Sequence, residues 1–251
     1  MAWAAETGPL TDGERYSFDL HGFVVRRGAL TTHEVRLLRL AVVDLGLDRP
    51  GESIGSQRFT GHLRRDEAFR DLIDHHAVLE PLLELCGPTT RLDHAYGITM
   101  APGSAGLGLH GGGTPHDPAQ YYRVEGGRMH NGLVGVQWAL VDHRPGDGGF
   151  GCIPGSHKAE FALPPQPDPS LVFEVPLAAG DVVIFTEALT HCTIPWRGAI
   201  DRLTLLYKYA PGHMAWGPDY EDFGALAPLL TDRQRRLIQR PAVYTHHPVQ
   251  R

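Results

Sequence analysis

The stretch Leu107-Gly108-Leu109-His110-Gly111-Gly112 places one histidine between an apolar segment and a glycine-rich loop. A longer apolar segment, Tyr96 to Met100, and a Pro-Gly turn come just before it. Short apolar segments that alternate with glycine and proline turns are typical of strands in β-sandwiches and barrels. We therefore expect His110 to lie at the end of a strand, with its imidazole beside the loop that follows.

The same alternation continues downstream of Arg91 and predicts a mainly β fold with flanking helices. The predicted strands are Ala95 to Met100, Leu133 to Val141, Phe150 to Ile153, Val172 to Val175, Val182 to Phe185 and Leu203 to Tyr209. This pattern favours a double-sheet jelly roll, which is a double-stranded β-helix. The 251 residues are enough for one such domain. We divide it into a helical N-terminal part (1–90), a jelly-roll core (91–215) and a C-terminal tail with a helix (216–251).

Helices are predicted mainly before residue 91. Residues 1 to about 17 are expected to form a loose lead-in. The elements expected after it are a strand at Gly22 to Val25, a helix capped by Thr31 or Thr32, a loop from Arg49 to Gly61, helices at Glu67 to Ile73 and Val78 to Cys86, and a last helix from Leu226 to Gln239 with Thr231 or Asp232 near its cap.

The composition indicates an ordinary globular protein. Apolar residues make up 42% of the chain and charged residues 21%, and no apolar run is long enough to span a membrane. The net charge of -6 argues against a nucleic-acid polymer or an anionic membrane as partner. Three cysteines without repeated spacing predict reduced, mostly buried thiols, and the first residues lack a secretion signal, so we expect a cytoplasmic location.

A second histidine occupies a comparable place about eighty residues after His110. It is His191, which follows the strand-like segment Asp181 to Phe185, and Arg202 comes eleven residues later at the start of another predicted strand. Two neutral imidazoles on strand ends suit a mononuclear iron site, because they leave metal positions for other ligands. Arginine can hold a carboxylate through two parallel hydrogen bonds. The alternatives are structural or surface histidines, and an Arg202 that pairs with its neighbour Asp201.

Three longer segments extend this pattern over most of the chain. They are Phe18 to Leu30, Gly148 to Lys158 and Ala179 to Phe185. In this order and spacing, with His191 and Arg202, they resemble the phytanoyl-CoA dioxygenase-like branch of the Fe(II)/2-oxoglutarate-dependent enzymes. The resemblance implies a double-stranded β-helix enzyme that uses Fe(II), 2-oxoglutarate and O2.

The resemblance also implies roles for individual residues. His110 and His191 would bind iron, and Arg202 would hold the distal carboxylate of 2-oxoglutarate. Thr193, two residues past the second histidine, could give the same carboxylate a hydroxyl group. Trp138 matches a family position that packs beside the cosubstrate, although a tryptophan in an apolar strand is equally well a core residue.

The sequence departs from the family at the first ligand motif. Such oxygenases have His-x-Asp there, whereas this chain has His110-Gly111-Gly112, and glycine has no side chain with which to bind a metal. This departure resembles the Fe(II)/2-oxoglutarate halogenases, in which glycine or alanine replaces the carboxylate and chloride takes the position. Gly112 is therefore predicted to leave a position for chloride, which makes chlorination of an unactivated carbon the expected reaction.

Several alternatives to halogenation remain at this point. Asp117, or another acidic residue, could supply the third ligand, because His116-Asp117 lies in the same loop. A hydroxylase could instead use water at the vacant position. The chain could also be an inactive relative, or a cupin-like protein that binds a ligand without catalysis.

The expected partner is a freestanding small molecule, and the protein is expected to be a monomer or homodimer. The chain most resembles halogenases that act on a nucleotide such as deoxyadenosine monophosphate. A phosphate would need cationic donors, and Arg123, Arg128 and Arg197 are the candidates. His130 lies with Arg123 and Arg128 in an extra segment that could cover the substrate. Glu187 comes shortly before His191 in the sequence and could therefore contact the substrate. For any one residue of the extra segment, a solvated loop is nearly as good an interpretation.

Overall fold

The structure is a computed structural model that describes residues 7–46, 56–112, 117–217, 222–243 and 248–249. The strands in these ranges are β1 (Phe23–Arg26), β2 (Ser56–Phe59), β3 (Arg91–Met100), β4 (Leu107–His110), β5 (Tyr122–Glu125), β6 (Arg128–Asn131), β7 (Val134–Ala139), β8 (Gly149–Cys152), β9 (Phe173–Glu174), β10 (Val182–Thr186), β11 (His191–Ile194) and β12 (Arg202–Ala210). The α-helices are α1 (Asp12–His21), α2 (Thr32–Asp44), α3 (Glu67–Arg70), α4 (Leu79–Leu85), α5 (Phe223–Leu226) and α6 (Asp232–Leu237).

The strands form two antiparallel sheets and a separate hairpin. The larger sheet has the order β1-β10-β7-β12-β3-β2, the smaller sheet has the order β4-β11-β8-β9, and β5 pairs with β6. Side chains of both sheets meet in one apolar cluster, to which Phe150 of β8 and Phe185 of β10 belong. The predicted double-stranded β-helix with flanking helices is confirmed.

Alternation along β12 decides which side chains face the helices and which face the space between the sheets. Leu203, Leu205 and Tyr207 belong to the large core that the sheet shares with the helices. Arg202 and Thr204 therefore point to the opposite face, because successive strand residues alternate. The inner face thus carries buried polar groups as well as the smaller apolar cluster.

Helix α1 lies where a loose lead-in was expected, so that expectation is wrong from Asp12 onward, while residues 1–6 lie outside the described residues. Thr11 and Glu14 form a reciprocal capping box at its start. The helix ends at Gly22, which has φ 85° and lies so close to His157 that a Cβ would be 2.7 Å from its ring. Only glycine fits both the turn and the contact.

Other boundaries differ as well. Strand β2 lies inside the predicted loop from Arg49 to Gly61, of which residues 49–55 lie outside the described residues. The predicted last helix is interrupted at Leu230, and its final part, α6, begins after the capping residue Thr231. Thr31 caps α2 as predicted, through a capping box with Glu34.

The layer between helices and sheet contains a buried histidine, His62, that predicts a pH effect on stability. Its ring contacts Phe59, Phe69 and Tyr207 edge-on, and neither ring nitrogen has a hydrogen-bond partner among the described residues. Burial lowers its pKa to about 3. The unfolded chain binds this proton near pH 6.5, so between pH 6.5 and 3 the free energy of unfolding should fall as the pH falls. His62 should account for about 2 kcal/mol of that loss at pH 5.

Urea unfolding at pH 7 and pH 5 measures this effect. We expect a His62→Leu variant to lose less stability than the wild type over that interval, because leucine has no proton to take up when the chain unfolds. Equal losses in the two proteins would contradict a neutral, buried His62.

Two simpler expectations can be compared directly with the structure. Cys86, Cys152 and Cys192 are buried and free, as expected for reduced thiols. In the part of the chain that the structure describes, no helix has both the length and the apolar character needed to cross a membrane.

Candidate active site

His110 and His191 lie side by side on neighbouring strands of the smaller sheet. Their Cα atoms are paired across β4 and β11, and their ring centroids are 4.3 Å apart. His191 is buried and packs against Phe150 and Phe185, whereas His110 is exposed on the edge strand. The two histidines that are distant in sequence are therefore brought together by one strand pairing.

Hydrogen bonds orient both rings in the same way. Nδ1 of His110 is 2.8 Å from the carbonyl oxygen of Gly108, and Nδ1 of His191 is 2.7 Å from that of Leu189. A carbonyl oxygen only accepts, so each Nδ1 donates its proton, and in the neutral ring this leaves Nε2 with its lone pair. Burial lowers the pKa of His191 to about 4, which keeps this ring neutral. Neutral imidazoles held in this way are suited to bind a metal.

The two glycines after His110 have backbone conformations that side chains rarely adopt. Gly111 has φ 73° and Gly112 has φ 97°. A Cβ on Gly111 would lie 2.9 Å from both the carbonyl oxygen of Glu187 and the ring of His191. The amide of Gly112 donates to the same carbonyl over 3.1 Å. The loop thus packs its bare backbone against the turn that carries Glu187 and His191.

Glu187 is a buried carboxylate beside the two histidines. Its Oε2 lies 3.8 Å from Nε2 of His191, and its Oε1 accepts a hydrogen bond from Nζ of Lys208. Burial opposes ionisation of Glu187, but Lys208 and His191 outweigh it and hold the pKa at about 2. The structure therefore places Glu187 beside His191. In the described ranges no group of three or more His, Cys, Asp or Glu side chains could hold a metal ion.

Asp117, the alternative third ligand, is used differently. Its Oδ1 accepts from the amide of Ala119 over 2.7 Å, which caps the turn that leads to β5. Within the described residues it forms no ion pair with His110 or His191. Its neighbour His116 lies outside the described residues.

Arg202 is a buried cation that needs an anion. It is 1% exposed, and within the part of the chain that the structure describes its Nη1 donates to the sulfur of Met100 and its Nε has no hydrogen-bond partner. Burial lowers its pKa to about 10, and among the described residues no carboxylate forms an ion pair with it, Asp201 included. A buried, unpaired guanidinium is costly unless a ligand supplies the charge, so this group fits the carboxylate of a bound acid.

Further buried polar groups near Arg202 were not anticipated from the sequence. Thr204 is on the same face of β12, and Gln137 is on the same face of the neighbouring β7. In the described ranges Thr204 Oγ1 and Gln137 Nε2 have no hydrogen-bond partner. His143 also has two unpaired ring nitrogens, and burial, with Arg202 as a second cause, lowers its pKa to about 2. The signal that could have found Gln137 and Thr204 is a single polar residue at an inward position of an otherwise apolar strand.

The interpretation of Trp138 as a neighbour of the cosubstrate is wrong. Trp138 pairs with Leu205 and Val182, all three belong to the core on the helical side, and its ring packs edge-on against His75. It therefore faces away from Arg202. Thr193, by contrast, lies on β11 two residues after His191 and hence on the same face of that strand, and its role as a hydroxyl donor stays a prediction.

The predicted substrate residues other than Glu187 are not gathered at the histidines. Arg123, Arg128 and His130 lie on the β5–β6 hairpin, which is fixed to α4 by a hydrogen bond from Asn131 to the carbonyl of Leu85. Arg197 is exposed in the segment between β11 and β12. No hydrogen bond, ion pair or ring contact within the described residues joins any of these four to His110 or His191.

The fold and the site can be compared with known proteins. The chain is similar to HygX from Streptomyces hygroscopicus, in the structure with nickel, 2-oxoglutarate and hygromycin B bound, at 26% identity and TM-score 0.73 over 84% of this chain and 92% of that one. The iron-bound HygX structure gives 25% identity and TM-score 0.73 over 96% and 98%.

The epimerase SnoN from nogalamycin biosynthesis, described as a non-heme alpha ketoglutarate dependent enzyme, gives 19% identity and TM-score 0.65 over 84% of this chain and 87% of that one, which shows the common fold. Among curated proteins none matches the chain. The family model described as Phytanoyl-CoA dioxygenase (PhyH) matches residues 18–204, so most of the chain is covered, and the protein belongs to the phytanoyl-CoA dioxygenase family.

Proposed function

We propose that the protein is an Fe(II)/2-oxoglutarate-dependent oxygenase that acts on a freestanding small molecule. The observation that carries this proposal is that one fold holds both a pair of histidines suited to a metal and a buried arginine suited to a carboxylate. His110 and His191 present free Nε2 atoms on the smaller sheet, and Arg202 presents an unpaired buried cation on the larger sheet. One HygX structure holds nickel and 2-oxoglutarate and another holds iron, which supports a metal and 2-oxoglutarate as the ligands here.

The chain's own residues would bind and orient these groups. His110 and His191 would hold the metal through Nε2, and Arg202 would hold the distal carboxylate of 2-oxoglutarate, with Thr204, Gln137 and Thr193 as further donors. Iron with 2-oxoglutarate supplies the activation of O2 that removes hydrogen from an unactivated carbon. Because Arg202 is buried, water would be kept away from its ion pair with the distal carboxylate of 2-oxoglutarate, and the attraction would be stronger.

The substrate class is argued from the neighbour and from the position of His110. One HygX structure holds hygromycin B, a freestanding small molecule. His110 lies exposed on the edge strand, so a substrate could approach the metal from that side. A nucleotide is a narrower hypothesis, and the scattered positions of Arg123, Arg128 and Arg197 offer it no grouped phosphate site.

Halogenation is a second candidate because Gly112 carries no carboxylate. If no other acidic group binds the metal, chloride can take that position and chlorine can be transferred to the substrate carbon. The two candidates differ in their products. Mass spectrometry of products formed in chloride, bromide and halide-free buffer separates oxygen insertion from a chlorine or bromine isotope pattern.

The anaerobic absorption spectrum tests the proposed function without a known substrate. A visible metal-to-ligand charge-transfer band should appear only when Fe(II) and 2-oxoglutarate are both added, and admission of O2 should produce succinate. A cupin-like binding protein would give neither signal. Absence of the band in correctly folded protein would contradict the proposed function.

A further inference from the structure

His143 and Arg202 both border the same glycine, Gly149, at the start of β8. The backbone of Gly149 has φ 101°, and a Cβ built on it would lie 3.0 Å from Nδ1 of His143 and 3.4 Å from Nε of Arg202. A side chain at this position would therefore be strained and would crowd the imidazole. The glycine leaves a space that borders the imidazole and the guanidinium at once.

Both side chains are buried without partners for their polar atoms. His143 and Arg202 are each 1% exposed. Among the described residues, neither ring nitrogen of His143 has a hydrogen-bond partner, and Nε of Arg202 has none either. Buried polar atoms in proteins are nearly always paired, with protein groups or with a bound molecule. Two such side chains beside one small space indicate a ligand that supplies the missing partner.

The ring of His143 is held in place by the structure around it. The amide of His143 donates to the carbonyl of Leu177 over 2.7 Å, and the amide of Leu177 donates to the carbonyl of His143 over 3.0 Å. The imidazole packs edge-on against Trp196 at a centroid distance of 5.3 Å, and Nε1 of Trp196 donates to the carbonyl of Ile200. His143 is therefore preorganised for a contact with a ligand.

The charge of this pair indicates which anion it would bind. Burial, with the charge of Arg202 as the second cause, lowers the pKa of His143 to about 2, so the imidazole is neutral and has one N–H donor. Arg202 therefore supplies the only positive charge of the pair. A single carboxylate balances that charge and can accept from both groups, whereas a doubly charged phosphate would leave negative charge buried without compensation.

We propose that His143 is a second donor to the distal carboxylate of 2-oxoglutarate, at the space that Gly149 leaves open. Its N–H donates to the carboxylate that Arg202 binds. His143 is thereby a specificity-determining residue, because it favours a 2-oxo acid with a carboxylate at this end over one with an apolar end. This inference rests on the proposed function, in which Arg202 binds that carboxylate.

Binding of two 2-oxo acids to the His143→Leu variant tests the proposal. In the anaerobic Fe(II) protein, titration of the charge-transfer band should show 2-oxoglutarate binding weakened by roughly 10-fold, because one hydrogen bond to a charged group is lost. Binding of 2-oxovalerate, which has a methyl group in place of the distal carboxylate, should not change. Equal weakening for both acids, or no weakening for 2-oxoglutarate, would overturn the proposal.

Two further variants serve as controls. His62→Leu also removes a buried imidazole whose nitrogens have no partner among the described residues, but His62 lies in the layer between helices and sheet, so both affinities should stay at the wild-type value. His143→Asn keeps a neutral N–H donor and should bind 2-oxoglutarate more tightly than His143→Leu. Equally weak binding by these two His143 variants would contradict a donated hydrogen bond.

A double variant separates direct contact from an effect through Arg202. Arg202→Met/His143→Leu should bind 2-oxoglutarate more weakly than Arg202→Met alone if His143 contacts the ligand, and equal affinities would overturn the proposal. If Arg202→Met weakens 2-oxoglutarate binding and His143→Leu does not, only the further inference fails. If neither change weakens it, the place that the proposed function gives to 2-oxoglutarate is wrong as well.

Discussion

Replacement of His191 by alanine is expected to weaken Fe(II) or Mn(II) binding by more than about 100-fold, because it removes a ligand that is already neutral and oriented. The ring is buried, its Nδ1 is fixed by Leu189, and its Nε2 faces the carboxylate of Glu187. Water cannot replace it easily in this apolar surrounding of Phe150 and Phe185. Electron paramagnetic resonance of Mn(II) measures the loss directly.

A histidine far from the site provides the control. His33 is exposed on α2, and His33→Ala should keep the wild-type affinity. The exposed ligand should also behave differently from the buried one: added imidazole should partly restore metal binding to His110→Gly but not to His191→Gly. Unchanged affinity in His191→Ala would show that the two rings do not share a metal.

Replacement of Arg202 by methionine should weaken 2-oxoglutarate binding by roughly 100-fold, which corresponds to about 2.7 kcal/mol. The reason is that Arg202 is the cation beside Met100 on the inner face, and its Nε has no hydrogen-bond partner among the described residues. The same change should raise the melting temperature of the protein without ligand, since it removes a buried charge that has no partner. Calorimetric titration with 2-oxoglutarate and thermal unfolding measure the two effects.

The prediction is specific because the variant should bind 2-oxoglutarate more weakly and yet have a higher melting temperature without ligand. A purely structural arginine would lower the melting temperature when it is replaced, and would not change the affinity for 2-oxoglutarate selectively. Arg197→Met is the matched control, because Arg197 is exposed and should change neither quantity. Arg202→Lys should be intermediate, since lysine keeps the charge but not the planar fork.

The sequence predicts the central strands well because they are buried on both faces. Strands β7, β10 and β12 are buried throughout, so each appears as a mostly apolar segment. Strand β4 is mostly exposed and glycine-rich and was recognised only through its histidine. Helix α1 was missed although Thr11 and Glu14 carry a capping signal, because its apolar face is weak.

The site is predictable as far as residue type and spacing decide it. His110, His191 and Arg202 were named from the strand ends at which they stand, and pairing of β4 with β11 brings the histidines together. The prediction for Trp138 is wrong because neighbouring strand residues face opposite sides of the sheet. Trp138 faces the helices, and Gln137, one residue away, lies on the inner face. Glu187 was seen as a contact of the site, but only the geometry of the turn shows how near its carboxylate is to His191.

The left-handed glycines after His110 also limit how this enzyme can be engineered. An aspartate written back at position 112 would incur about 1–2 kcal/mol of backbone strain and would meet Thr190 before reaching any metal. Point mutation of Gly112 alone therefore cannot give this loop a His-x-Asp motif. A designer who wants that motif has to replace the whole segment that follows His110.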